Sequence, residues 1–204
     1  MIPCEREGIL SRQKLNDIAK EVFRKAIHLC SALLPLFLSL SYRLVLSLLV
    51  FAVIFYTICE FLRLNGKNVP LVSTITATAA RKRDENKFVL GPVTLCTGIL
   101  ICALLYPPLP ASIGIYALAF GDGLASLSGK LWGKVQIPFA QGKTAEGSLT
   151  CFLAIFISSF LAGKNTALSL LLATFGMLIE VLPLKDFDNV FIPILIGGVA
   201  TLFL

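Results

Sequence analysis

Long apolar runs separated by short polar segments dominate the pattern of residues along the chain. A helix needs about 20 apolar residues to cross the hydrocarbon core of a bilayer. Seven runs approach this length, at about 26–41, 43–62, 88–106, 109–129, 148–163, 166–182 and 190–204. The pattern predicts an all-α, polytopic integral membrane bundle with about seven transmembrane helices. We expect residues 1–25, which are rich in charge, to form a cytoplasmic amphipathic segment and residues 26–204 to form a single transmembrane domain.

The basic residues indicate the orientation of the bundle. With the N-terminus in the cytoplasm, 16 of the 18 Lys and Arg residues fall in inner segments, and only Arg43 and Lys164 lie in outer loops. Such a bias is typical of cytoplasmic loops. All 12 acidic residues fall in or beside the same inner segments. We therefore expect every candidate catalytic group at the cytoplasmic face, in a prokaryotic inner membrane.

Composition excludes several other classes of protein. The chain is 56% hydrophobic and 15% charged, whereas soluble domains have roughly 45–50% apolar and about 25% charged residues. A soluble enzyme, a disordered tail and a secreted disulfide scaffold are excluded. The net charge of +6 follows from the cationic inner loops, so we expect a lipid bilayer and no nucleic acid as partner.

The first polar cluster lies where the first span begins. Glu21, Arg24, Lys25 and His28 share one helix face because they are three or four residues apart. A cation beside a span is commonly an anchor to headgroups, but His28 lies one turn inside the apolar run, where an imidazole needs a partner. At the end of the second span, Glu60 and Arg63 form either a local ion pair or part of a site.

The densest polar cluster covers residues 120–134 and continues at 142–148. Four glycines between Gly121 and Gly133 are unfavourable for a helix and typical of backbone that approaches a ligand or presents N–H groups to an anion. The alternative is that small residues allow close helix packing. Carboxylates in this cluster are suitable ligands for Mg²⁺. We predict a triphosphate site whose nucleotide-binding residues are Arg24, Lys25, Gly121, Gly123, Ser126, Gly129, Lys130, Gly133, Lys134, Lys143 and Thr144.

A third cluster lies around the start of the seventh span, where Glu180 is followed by Asp188 and Asn189. Asp188 or Asn189 either caps the last helix or reaches the metal beside Asp122. The predicted metal ligands are Asp122, Glu146 and Asp188, and Glu60, Arg63 and Asn189 are further site candidates without an assigned role.

Taken in order, these residues resemble the motifs of the polyprenol kinase family, which includes dolichol kinases, phytol kinases and CTP-dependent diacylglycerol kinases. The matching positions extend from Glu21 to Pro193, and the most specific block runs from Gly121-Asp122 through Lys143-Thr144 to Glu146-Gly147. The resemblance implies transfer of the γ-phosphoryl group of CTP, with Mg²⁺, to the hydroxyl of a membrane lipid alcohol (diacylglycerol, phytol or polyprenol) at the cytoplasmic leaflet.

For a kinase of this kind, the residues expected to be catalytic are Asp122, His28, Lys143, Glu146 and Glu180. Asp122, with Glu146 or Asp188, coordinates the metal, and His28 or Glu180 takes the proton of the acceptor. Two alternatives remain. One is an enzyme similar to phosphatidate cytidylyltransferases, which share a Gly-Asp…Ala-Ser core. The other is a non-enzymatic transporter, although transporters typically place ionisable groups near the midplane. The acceptor and the oligomeric state are left open.

Overall fold

The computed structural model describes residues 3–67, 69–80, 84, 87–140 and 142–204. Most of the basic run at 81–87, to which the sequence assigns no chemistry, lies outside these residues. The described chain is helical, apart from loops and one isolated β-bridge between Gln136 and Thr144. The α-helices are α1 (Pro3–Cys30), α2 (Leu34–Leu40), α3 (Tyr42–Leu64), α4 (Pro70–Ala79), α5 (Gly91–Leu105), α6 (Pro108–Tyr116), α7 (Gly123–Trp132), α8 (Ala145–Gly163), α9 (Thr166–Val181) and α10 (Asp188–Phe203).

Two short helical segments of other types join consecutive α-helices into longer stretches. A 3₁₀ turn at Ser31–Leu33 connects α1 to α2, and a π-helical segment at Ala117–Asp122 connects α6 to α7. Helix α1 continues through residue 25 without a break. The boundary predicted between the N-terminal segment and the membrane domain therefore lies inside a helix.

Four helical stretches are long and apolar enough to cross a membrane: Leu15–Leu40, Tyr42–Leu64, Pro108–Trp132 and Ala145–Gly163. Three shorter apolar helices, α5, α9 and α10, accompany them. They have 15 or 16 residues, which corresponds to about 22–24 Å at 1.5 Å per residue. These seven helical stretches lie at the seven predicted runs, and the prediction of an all-α membrane bundle is confirmed.

The stretch Pro108–Trp132, which we call the central stretch, lies in the middle of the bundle. Its most apolar window is 67% buried, whereas the windows of the other three long stretches are 22–28% buried. It packs against α5, α8 and α10, and its own Ile113, Ile115 and Leu118 are almost completely buried. Apolar side chains cover the outer faces of the surrounding helices, as lipid contact requires. Because Asp122 belongs to the central stretch, its carboxylate lies between helices rather than against lipid.

The glycine-rich part of the central stretch is helical, contrary to the expectation from glycine's low helix propensity. Tertiary packing overrides that propensity, because the glycines allow close contact with α8 and the loop before it. A Cβ atom added at Gly121 would lie 2.8 Å from Ile155, and one added at Gly147 would lie 2.9 Å from the carbonyl oxygen of Ala125. At Gly133 it would lie 2.6 Å from the side chain of Thr144, in the loop before α8. Helix packing, the alternative interpretation, therefore explains these glycines.

Candidate functional site

Polar side chains from separate parts of the chain line one cavity of about 330 Å³ at the end of the central stretch. The ends of α7 and α9, the starts of α8 and α10, and one face of α1 all meet here. The predicted site residues that line it are Arg24, Lys25, Asp122, Ser126, Gly129, Lys130, Lys143, Thr144, Glu180 and Asp188. These residues come from both halves of the chain, and the fold brings them to one cavity.

Asp122, the last residue of the π-helical segment, is 5% exposed and contacts α1. Its Oδ2 accepts a hydrogen bond from Nζ of Lys25, which is 97 residues earlier in the chain. Nδ1 of His28 lies 3.3 Å from the same oxygen. A buried carboxylate requires such partners, and Lys25 and His28 provide them. Single π-helical turns occur frequently at functional sites.

Glu21 lies at the centre of a second ionic contact between α1 and α7. Its carboxylate is buried and accepts hydrogen bonds from Nη2 of Arg24, from Nζ of Lys130, and from Oγ of Ser126 at 2.7 Å. Glu21 thus holds two cations at the cavity wall. Glu21 belongs to the first polar cluster of the sequence, but it is not among the predicted site residues. Its position on the helix face of Lys25 and His28 is the signal that could have identified it.

Lys143 connects the loop before α8 to the end of α9. Its Nζ donates to the carbonyl oxygen of Glu180 and lies 3.3 Å from Oε1 of the same residue. The other carboxylate oxygen, Oε2, accepts a hydrogen bond from Oγ of Ser148 at 3.1 Å. Thr144 caps α8 by accepting from the backbone N–H of Gly147 at 3.2 Å. Lys185, which is not among the predicted site residues, also lines the cavity and has a left-handed backbone conformation with φ of 60°.

The charges around this cavity are nearly balanced. Among the described lining residues, five are cationic and four are carboxylates. Fixed cations favour an anion such as a phosphate chain, and the carboxylates offer oxygen ligands to a divalent cation. The cationic residues are Arg24, Lys25, Lys130, Lys143 and Lys185, and the carboxylates are Glu21, Asp122, Glu180 and Asp188.

The structure does not bring Glu146 into the cavity, which corrects its prediction as a metal ligand. Oε1 of Glu146 accepts the backbone N–H groups of Lys134 at 3.0 Å and Val135 at 3.3 Å. In the first turn of α8, the side chain points back toward the chain that follows α7, and it holds that chain in place. Gly133 and the exposed Lys134 are also outside the cavity lining.

Two glycines that were predicted to contact the nucleotide, Gly121 and Gly123, instead pack against neighbouring helices. A Cβ atom at Gly123 would lie 3.4 Å from Leu29 of α1, and Gly121 faces Ile155 of α8. Neither glycine lines the cavity. Their N–H groups belong to a continuous helix, so the interpretation that they bind an anion is corrected.

Glu60 and Arg63 form the local ion pair that was one of their two interpretations. Nε and Nη2 of Arg63 donate to the Glu60 carboxylate at 2.8 and 2.7 Å. Oε1 of Glu60 also accepts from the backbone N–H of Val89 at 2.8 Å, and Arg63 donates to the carbonyl oxygen of Lys87. The pair thus holds the chain that leads into α5 and contributes no side chain to the cavity.

Asn189 connects α10 to α5 and does not cap its own helix. Its Nδ2 donates to Oγ1 of Thr94 at 2.9 Å. Asp188 accepts from the backbone N–H of Asn189 at 2.9 Å, and the N-cap position belongs to Phe187, without a side-chain hydrogen bond. The expected capping role is therefore wrong, and Asp188 faces the cavity instead.

The arrangement fits a magnesium ion that is bound together with phosphates. Within the described residues, no group of three or more His, Cys, Asp or Glu side chains is placed to hold a metal alone. Mg²⁺ is usually held by one or two carboxylates and by the phosphates of the substrate. Asp122 and Asp188, which line the same cavity, provide carboxylates of this type.

Known proteins with similar sequences include enzymes as well as an uncharacterised relative. An uncharacterised protein of Methanocaldococcus jannaschii is 34% identical over 145 residues, which cover 70% of each chain. Phytol kinase 1, chloroplastic, of Arabidopsis thaliana is 26% identical over 210 residues, which cover 90% of this chain and 67% of the plant protein. The phytol kinase of Synechocystis is 42% identical over 66 residues, 31% of this chain and 28% of that protein.

No protein-family profile matches the chain, and no solved structure is significantly similar to it. The alignment with the plant phytol kinase nevertheless covers 90% of this chain. The alignment with the cyanobacterial phytol kinase is shorter, at 66 residues, but its identity is higher, at 42%. Together with the ordered motifs, this similarity to several phytol kinases supports a polyprenol and phytol kinase-like family for the chain.

Proposed function

We propose that the protein is a membrane-bound lipid kinase that transfers the γ-phosphoryl group of CTP to the hydroxyl of a lipid alcohol. The observation that carries this proposal is the cavity of about 330 Å³, in which cations and carboxylates meet at one end of an apolar helical bundle. The similarity to phytol kinases supports a lipid kinase. CTP as donor, and phytol, polyprenol or diacylglycerol as acceptor, are proposed from the family resemblance.

Phosphoryl transfer requires little covalent chemistry from the protein, because positioning and charge stabilisation provide most of the acceleration. Arg24 and Lys130 are already held by Glu21, and Lys143 by Glu180. These cations are therefore oriented before a triphosphate binds, and they neutralise its negative charge without first having to be ordered. Lys25 is held in the same way by Asp122.

Asp122 and Asp188 are the carboxylates that would hold Mg²⁺, whose contribution is to neutralise charge on the phosphates. In the transfer itself, the acceptor oxygen bonds to the γ-phosphorus while the bond from that phosphorus to the bridging oxygen breaks, and CDP leaves. The hydroxyl proton passes to a basic group at the site. The candidates for this role are His28, which lies beside Asp122, and Glu180, which lines the large cavity.

We further propose that the site faces the cytoplasm of a prokaryotic inner membrane. The uneven distribution of Lys and Arg between the inner and outer segments supports this orientation. Reporter tags on the N-terminal tail and on the loop between α7 and α8 are expected to lie on the same, cytoplasmic side. If the two tags lie on opposite sides of the membrane, the proposed orientation is contradicted.

The experiment that tests the function uses purified protein and CTP labelled at either the α- or the γ-phosphate. A panel of lipid alcohols and phosphatidate is offered as acceptors, each with Mg²⁺. A kinase transfers only the γ label, and it transfers it to an alcohol. Transfer of the α label to phosphatidate would instead identify a cytidylyltransferase, and absence of both labels from every lipid would overturn the proposal.

A further inference from the structure

A second, smaller cavity of about 40 Å³ adjoins the first. Four charged side chains line both cavities: Arg24, Lys25, Asp122 and Asp188. They form a shared wall with the large, polar cavity on one side and the small cavity on the other. The buried contact between Lys25 and Asp122 lies within this wall.

The small cavity has a mixed lining of apolar and charged side chains, which includes Asp84 and Asp186 besides the four shared residues. Ile27 of α1 lines it together with Val89, which precedes α5, and with Pro92 and Leu95 near the beginning of α5. Ile27 is 39% exposed, so this lining continues to the outer surface of the bundle. His28 lines the cavity on the α1 side.

The packing of the helices leaves a passage at this position. Helix α1 packs on α4, α7 and the π-helical segment, whereas α5 packs on α3, α6 and α10. In the described part of the chain, α1 and α5 do not pack extensively against each other. The small cavity therefore lies in a slot between two helices that both belong to the apolar bundle.

We propose that this slot, lined by Ile27, His28, Pro92 and Leu95, is the entry and binding site for the acceptor alcohol. This inference rests on the proposed function. The hydroxyl end reaches the shared wall from the small cavity, while the nucleotide occupies the large one. The two substrates then meet at the charged residues that both cavities share.

The size of the slot limits what it holds. One water molecule needs roughly 10–15 Å³ of cavity volume. A cavity of about 40 Å³ therefore accommodates the hydroxymethyl end of an alcohol and not its chain. The chain remains in the bilayer along the outer surfaces of α1 and α5, beside Ile27. Binding of this kind requires no opening of the bundle core.

A larger groove elsewhere is less suitable for the hydroxyl. A cavity of about 510 Å³ lies between α6 and α8, lined by residues such as Leu109, Tyr116 and Leu161. It has no charged side chain in its lining, and it shares no residue with the large polar cavity. A hydroxyl bound there would not meet the phosphates.

A pair of matched substitutions on α1 tests the slot. Ile27→Trp places a bulky ring at the mouth of the slot, whereas Val22→Trp makes the same kind of change at another exposed position of α1 (45% exposed) that lines neither cavity. We expect Ile27→Trp to raise the KM for the lipid alcohol at least tenfold and the KM for CTP less than twofold. Val22→Trp is expected to leave both values unchanged.

A photoreactive alcohol that carries a diazirine near its hydroxyl provides a second measurement on the unmodified protein. We expect cross-links to α1 and to the beginning of α5. The proposal that the alcohol binds in the slot would be overturned by cross-links confined to α6 and α8. It would also be overturned by an Ile27→Trp variant that folds and keeps the wild-type KM for the alcohol. If the wild-type protein phosphorylates no alcohol, the proposed function fails, and the slot fails with it. If the wild-type protein is active and only the slot tests fail, the function stands.

Discussion

Substitution of Gly98 by alanine tests how closely α5 and α10 must approach for the site to form. A Cβ atom at position 98 would lie 2.1 Å from the carbonyl oxygen of Asn189 and 3.0 Å from Cα of Val190. Ordinary contact begins at 3.4 Å, so the start of α10 has to retreat by about 1.3 Å. That segment carries Asp188 into the cavity. It also carries the Asn189 side chain that donates to Thr94.

The expected magnitude follows from two opposing effects. Overpacking a well-packed interior costs typically 1–3 kcal/mol, and replacing glycine by alanine inside a helix returns up to about 1 kcal/mol. We expect a net loss of about 1–2 kcal/mol in the free energy of unfolding. Displacement of a catalytic group by about 1 Å can reduce the rate about 100-fold, so kcat is expected to fall by about that factor while Asp188 is displaced.

The assay combines thermal unfolding in detergent with initial rates of alcohol phosphorylation. Gly163→Ala is the control, because a Cβ atom there meets only Ile113, at 3.7 Å. We expect the control to match the wild-type protein in both measurements. If Gly98→Ala unfolds at the wild-type temperature and keeps the wild-type kcat, then the close contact between α5 and α10 does not position Asp188, and the reasoning is refuted.

Three further substitutions test individual side chains of the site. Asp122→Asn is expected to abolish transfer without unfolding the bundle, because a neutral amide replaces the carboxylate that pairs with Lys25 and that would hold Mg²⁺. Full activity in this variant would contradict the assignment of Asp122 as a metal ligand. Glu146→Gln is expected to raise the KM for CTP by loosening the loop that carries Lys143, while the Mg²⁺ concentration for half-maximal activity stays the same; a shift in that concentration would restore Glu146 as a ligand. Glu21→Gln is expected to raise the KM for CTP more than that for the alcohol, since it releases two cations from the cavity wall; equal changes in both KM values would count against a positioning role.

Most of the fold follows from local features of the sequence. The length of an apolar run and its polar ends are read directly from consecutive residues, and all seven runs correspond to helical stretches. The glycine-rich segment is the exception. Its intrinsic propensity disfavours a helix, but the close approach of α8 requires positions without side chains, such as Gly121 and Gly147. Propensity is a property of single residues, whereas this packing depends on a second helix.

For the candidate site, too, some features follow from the sequence and others only from the tertiary structure. Residue types and their order were sufficient to indicate the family and the convergence of acids and bases at one end of the bundle, because both depend on chemistry that is visible in the chain itself. The pairs that position those groups could not be read there: Lys25 meets Asp122 across 97 residues, and Lys130 meets Glu21 across 109. Such pairings arise from the way helices cross one another, which no local periodicity encodes. The same helix crossings turned Glu146 toward backbone N–H groups and left a slot between α1 and α5.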